Sequence, residues 1–161
     1  MKCNPFQKVF TTPFELQSHL ESLRKQGKKL VTTNGCFDII HSGHVQYLTD
    51  AARLGDLLVV GINSDESVRK LKGPNRPIQS EQNRAAVLAS LCMIDAVFVF
   101  SEENPLAFLE ILKPDIHVKG GDYPDNIIEK PVVEKYGGVI KIVSLKSGYS
   151  TSSIIEKIRS S

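Results

Sequence analysis

Two histidines separated by two residues, His41 and His44, frame Ser42 and Gly43 where an apolar strand-like run gives way to helical spacing. At a helix N-terminus such a pair projects toward one point, where free backbone N–H groups and the positive end of the helix dipole already favour an anion. Gly43 lets a phosphate approach the backbone closely. Phosphoryl and nucleotidyl transfer need positioning and neutralisation of charge on the equatorial oxygens rather than a covalent nucleophile. Two imidazoles that donate hydrogen bonds meet that need. Alone, the four-residue motif is only moderately specific. One histidine capping the helix and the other exposed is the plain alternative, and a zinc pair is weakened because no third suitable ligand sits nearby.

Other residues could join them. Ser150, Thr151 and Ser152 stand at the start of the last helical segment, where hydroxyls and N–H groups make a second anion site or simply a helix cap. Lys72 lies in Lys70–Pro77, where Gly73, Pro74 and Pro77 mark a loop; a solvated surface charge is its plain reading. Arg76 contacts either a sugar phosphate or only solvent. Asp65 either caps the next helix or meets a nucleotide. Cys36 reads as a small packed residue, and His19 and His117 as structural.

These residues need a scaffold. Thr12, Pro13 and Glu15 predict a helix start, with the helix running to about Gln26 and stopping at Gly27. Residues 29–33 read as a short strand and 45–54 as a helix. Residues 56–62 (DLLVVGI) form a nearly continuous apolar run, the mark of a strand buried on both faces. Ser80 caps a helix to Leu91, followed by a strand at 96–100, a helix at 105–112 and a strand at 116–119. A weak helix at 127–136 is shortened by Pro131. A fifth strand at 139–143 and a helix at 151–158 close the chain.

That alternation predicts an α/β fold: a Rossmann-like, doubly wound parallel sheet of five strands in the order 3-2-1-4-5. We expect one domain over 1–161, with an N-terminal helical extension over 1–27 and the Rossmann-like core over 28–161. Ligands of such sheets bind beyond the carboxyl ends of the strands, at the switch point. The polar segments 34–44, 63–65, 119–122 and 147–152 all follow strands, so they can face one crevice.

The net charge of +2 over 161 residues gives no general reason to expect nucleic acid or an anionic membrane as partner. Any attraction for phosphate must be local. Three widely spaced cysteines with no Cys-x-x-Cys argue against a disulfide framework or structural zinc. The first ten residues lack an apolar signal core, and no segment approaches a membrane span. A cytoplasmic location is the expectation.

The segment Gly35-Cys-Phe37-Asp38-Ile-Ile-His41-Ser-Gly43-His44 resembles the signature of the cytidylyltransferase-like nucleotidyltransferase superfamily. Further matches follow in order: Asn63-Ser-Asp65-Glu, Leu71-Lys72-Gly-Pro-Asn-Arg76-Pro77, Arg84, Val118-Lys119-Gly120-Gly-Asp122-Tyr123, and Gly148-Tyr-Ser150-Thr151-Ser152-Ser-Ile-Ile155. Together they are similar to the heptose-1-phosphate adenylyltransferases, the nucleotidyltransferase half of bacterial ADP-heptose synthase. That half is often fused to a sugar kinase, and this chain resembles the stand-alone form.

The resemblance implies AMP transfer from ATP to D-glycero-D-manno-heptose 1-phosphate, giving ADP-heptose and pyrophosphate, with Mg²⁺ bound to the triphosphate. It implies catalytic roles for His41, His44 and Lys72, and nucleotide contacts from Phe37, Gly43, Arg84, Lys119, Gly120, Asp122, Ser150, Thr151 and Ser152. Asp38 and Arg76 would serve the acceptor side. No resident metal ligand is expected. A homodimer, a separate heptose kinase and a role in lipopolysaccharide core synthesis also follow from the resemblance alone. Related glycerol-3-phosphate cytidylyltransferases carry arginine where this chain has Leu145, followed by Lys146, so the base preference leans to adenine. The competing readings are a cytidylyltransferase of glycerol 3-phosphate or a similar alcohol phosphate, and a nucleotide-sensing module without turnover.

Overall fold

The strand Leu57–Asn63 is buried at every position, as a strand covered on both faces must be. In the computed structural model, which describes residues 4–121, 126–144, 148 and 150–161, six parallel strands form one sheet. They are β1 (Val9–Phe10), β2 (Leu30–Gly35), β3 (Leu57–Asn63), β4 (Ala96–Phe100), β5 (Ile116–Gly120) and β6 (Val139–Val143). Their spatial order is β1-β4-β3-β2-β5-β6. The five strands expected from the sequence therefore stand in the expected order.

The sixth strand is a correction. Val9 and Phe10 pair with Val97 and Phe98 at the sheet edge, so the N-terminal segment supplies sheet as well as helix. A two-residue strand is too short to leave a period in the sequence. Its position is set by the neighbour it pairs with.

Among the described residues, six α-helices lie between successive strands and a seventh follows the last: α1 (Pro13–Arg24), α2 (Ser42–Ala52), α3 (Asp65–Lys72), α4 (Glu81–Ala89), α5 (Leu106–Leu112), α6 (Lys130–Lys135) and α7 (Thr151–Arg159). Alternation along the strands divides the core in two. Val31, Leu58, Val60 and Val97 pack with Leu48 and Ala51 of α2 and Leu88 of α4. Leu30, Val59 and Phe98 pack on the other face with Leu16 and Leu20 of α1, Phe108 and Leu109 of α5, and Val133 of α6. No helix among the described residues is long and apolar enough to cross a membrane.

The two ends of the sheet differ in charge. At the amino ends, the carboxylates of Asp56, Asp95 and Asp115 accept from the backbone N–H groups of Lys29, Leu58 and Leu30. These acids satisfy strand starts that would otherwise lack acceptors. The carboxyl ends carry the helix N-termini instead. The chain reverses direction across the sheet between β2 and β5, which pair at Thr33 and Val118, and the crevice opens there.

Candidate active site

Where β2 ends, the backbone turns sharply. Phe37 holds φ at 46°, a left-handed conformation that a bulky residue adopts only under constraint. Its ring lies over Gly35, where an added Cβ would meet the ring at 2.9 Å. Glycine is thus needed at 35 so that the Phe37 ring can fold back. The ring in turn meets His44 edge-on, with centroids 5.3 Å apart.

His41 occupies the N-cap position of α2 with extended backbone and makes no side-chain cap bond. Its imidazole stacks on that of His44, with centroids 3.9 Å apart and planes 23° from parallel. Two positive rings at that distance would repel. Burial, then the His41 neighbour, depress the pKa of His44 to about 4, against a weaker upward pull from the Ile39 backbone. Burial also lowers His41. The pair is therefore neutral at pH 7, and each neutral ring has one N–H to donate.

His44 lines a cleft of about 410 Å³, and His41 stacks on it from outside that lining. Asn34 to Asp38 form its floor, His44 one wall, and Lys72, Arg76, Lys119, Thr151 and Ser152 its rim. A shallower recess of about 170 Å³ continues from it between Tyr47, Lys119 and Gly120. Six separate segments thus bring their polar groups to one place. Gly43 is buried in the first turn of α2, behind the histidines.

Lys119 leaves the end of β5 and its Nζ bonds Glu129 at 2.6 Å and Asn34 at 3.4 Å. Glu129 is itself buried, so this ammonium is held in position by a carboxylate behind it. Glu129 carries no signal in the sequence, since it stands in a weakly helical segment far from any motif. Tyr47 is a second residue missed: its hydroxyl sits 2.6 Å from that of Thr33 and donates to the Val118 carbonyl, tying α2 to β2 and β5.

Several expected roles are relocated. Arg84 does not reach the cleft. It is 1% exposed and donates to the carbonyls of Cys36, Asn63 and Gln79 and to the Asp65 carboxylate, at 2.6 to 3.0 Å. It fastens the ends of β2 and β3 and the start of α3 from beneath. The arginine sits on the inward face of α4, a burial that its sequence neighbours do not reveal. Asp65 is its ion partner, and Ser64 rather than Asp65 caps α3.

Lys72 is the last residue of α3 rather than part of a loop; the helix stops at Gly73, whose φ is 95°. Asp38, 2% exposed, has its carboxylate occupied. Arg76 Nε donates to it at 2.6 Å, and the N–H groups of Ile78 and Gln79 add bonds of 2.8 and 2.9 Å. Burial pushes this carboxyl up, but the hydrogen bonds from Gln79, Ile78 and Arg76 outweigh it and leave the pKa below the usual value. Asp38 therefore positions the 73–79 segment instead of meeting an acceptor directly. Arg76 stays on the rim.

Ser150 caps α7 by accepting from Ser153 N–H, and the Ser153 hydroxyl completes a capping box. Its hydroxyl is thus engaged, while Thr151 and Ser152 reach the cleft. Thr151 also donates to the Ile39 carbonyl at 3.3 Å, which ties α7 to the histidine loop. The Cys36 thiol is raised by burial, in keeping with a packed side chain. Asp122, Leu145 and Lys146 lie outside the described residues.

Comparison with known proteins places the chain. The cytidylyltransferase-like family model matches residues 32–161. The bifunctional protein HldE of Syntrophotalea carbinolica is 56% identical over 144 residues, 89% of this chain and 29% of that protein. HldE of Campylobacter jejuni subsp. doylei is 48% identical over 155 residues, 96% of this chain and 32% of its own. The chain therefore spans about three tenths of the length of these relatives. Among solved structures, the lipopolysaccharide core biosynthesis protein of Thermoplasma volcanium GSS1 superposes with a TM-score of 0.62 at 33% identity, covering 77% of this chain and 100% of that one. The pantoate-beta-alanine ligase of Francisella tularensis, complexed with beta-gamma ATP and beta-alanine, shares the fold at a TM-score of 0.58 and 17% identity, over 89% of this chain and 68% of its own. With the family match running from the middle of β2 to the last residue, the chain belongs to the cytidylyltransferase-like family.

Proposed function

We propose that this chain transfers the AMP part of ATP to a heptose 1-phosphate, releasing pyrophosphate. The observation that carries the reading is the neutral, stacked His41–His44 pair at the N-terminus of α2, of which His44 lines a cleft shared with Lys72, Arg76, Lys119 and Thr151. Adenine and heptose come from the likeness of the motifs and of the HldE proteins.

A phosphate oxygen of the acceptor attacks the α-phosphorus in line. The new P–O bond forms as the bond to the β-phosphate oxygen breaks, and the electron pair leaves with pyrophosphate. The imidazole N–H groups of His41 and His44 donate to the α-phosphate oxygens, whose charge grows in the transition state. Lys72 and the first turn of α7 at Thr151 hold the leaving phosphates. Lys119 and Gly120, with Phe37, line the nucleotide side, and Gly43 supports the histidines from within α2.

No group of three or more His, Cys, Asp or Glu side chains suited to a metal gathers among the described residues. Asp38, Asp65 and Glu129 are each engaged by a cation of the protein. A Mg²⁺ bound with the triphosphate would accordingly be held by phosphate oxygens and water, as this ion prefers, and would offset phosphate charge there.

Pyrophosphate release should be measured with ATP or CTP, each paired with heptose 1-phosphate or glycerol 3-phosphate. Release with ATP and heptose 1-phosphate alone is the expected result. Preference for CTP with glycerol 3-phosphate would replace the reading by the cytidylyltransferase alternative. ATP binding without release for any pair would make the chain a nucleotide sensor.

A further inference from the structure

A second groove, of about 250 Å³, lies between the 73–79 segment and α7. It shares Arg76 and Ser152 with the reaction cleft, so the two adjoin. Its walls carry three further polar side chains: Asn75, inside the Leu71–Pro77 motif, and Glu156 and Arg159, which belong to no motif. Ile78 and Ile155 add apolar surface between them.

In-line displacement places the acceptor and the departing pyrophosphate on opposite sides of the α-phosphorus. The groove can therefore serve only one of them. Pyrophosphate offers acceptor oxygens and negative charge, and the Glu156 carboxylate, acceptor-only when ionised, opposes both. A sugar offers hydroxyls that donate as well as accept, and C–H faces that rest on aliphatic side chains. Carboxylate, amide, guanidinium and isoleucine suit that mixture.

We propose that this groove is the acceptor subsite, in which Asn75, Glu156 and Arg159 read the sugar hydroxyls. The inference rests on the nucleotidyl-transfer reading and adds its specificity residues. Arg76 stands at the junction. Its Nε is held by buried Asp38, so the terminal amino groups are the part of the guanidinium left to take the acceptor phosphate while the sugar extends beyond. Helix α7 then has two uses: its first turn faces the cleft, and its next turns face the sugar.

The test is steady-state kinetics of the full chain, with Glu156→Ala and Asn75→Ala checked for folding by thermal melts. Losing the hydrogen bonds, charge-assisted at Glu156 and neutral at Asn75, should raise the KM for heptose 1-phosphate, about tenfold or more for Glu156→Ala and less for Asn75→Ala, with the KM for ATP unchanged. The preference for heptose 1-phosphate over the six-carbon mannose 1-phosphate should shrink. Glu156→Gln should keep part of that preference, since its amide oxygen still accepts. If product inhibition by pyrophosphate or the KM for ATP moves instead, the groove belongs to the leaving group and the proposal is overturned. Unchanged constants in folded, active variants overturn it as well, while leaving nucleotidyl transfer intact. A wild-type chain that releases no pyrophosphate from any pair removes the underlying reading and this one with it.

Discussion

Arg76 and Asp38 form a nearly buried ion pair, Nε to Oδ2 at 2.6 Å, that joins the turn after β2 to the segment after α3. The same carboxylate holds the N–H groups of Ile78 and Gln79. The segment that follows Lys72 is thus fastened at its far end, with Gly73 to Asn75 between that fastening and α3.

Asp38→Ala should release this fastening. Amide exchange at Ile78 and Gln79 should quicken, and stability should fall by about 1–3 kcal/mol as the freed donors lose their acceptor. The kcat/KM should drop because Arg76 and Lys72 lose their positions. Exchange mass spectrometry with and without a non-hydrolysable ATP analogue and Mg²⁺ tests the fastening. Equal exchange in wild type and variant would show that the carboxylate does not hold the segment.

The histidine pair acts on charge that develops only in the transition state. His44→Ala or His41→Ala should lower kcat by about two or more orders of magnitude, with smaller changes in substrate affinity. Single-turnover rates and calorimetric titration separate the two effects. Near-normal turnover in both variants sinks the mechanism.

Arg84 should behave as a structural residue. Arg84→Ala leaves three carbonyls and Asp65 without their donor, and should cost about 3–5 kcal/mol in urea unfolding. Arg84→Lys, a point charge in place of a planar fork, should recover only part. In the folded fraction the KM for ATP should stay near normal. A large rise in that KM with unchanged stability would return Arg84 to the triphosphate.

Acid should destabilise the chain through its histidines. Burial holds His117 at about 3, assisted by Lys119, and His44 at about 4, against an ordinary value near 6.5 in the unfolded chain. Between those values the unfolded state binds more protons, so stability is complete above about pH 6.5 and falls as pH drops toward 4 and then 3. The slope per group approaches about 1.4 kcal/mol per pH unit within its window. His117→Gln should flatten the fall of Tm between pH 6 and 4. An identical profile would place the acid sensitivity elsewhere.

Much of this protein could be read from the residues in order. The apolar run before Asn63, the alternation of strands and helices, and the caps at Thr12, Ser80 and Ser150 depend on local periodicity and local hydrogen bonding. They therefore appear in the sequence itself. The histidine pair was legible because it is local: the N-cap residue and the third residue of the first turn stand together at the start of a helix wherever that helix lies. Tertiary structure decided what each long side chain spends its charge on. Arg76 and Arg84 look alike as letters, yet one rims the cleft and the other is 1% exposed, because α4 turns Arg84 inward against the ends of β2 and β3. Glu129 steadies Lys119, and Val9–Phe10 joins the sheet, only because distant segments meet. Burial and partner choice are properties of the packed chain, and no spacing along the sequence encodes them.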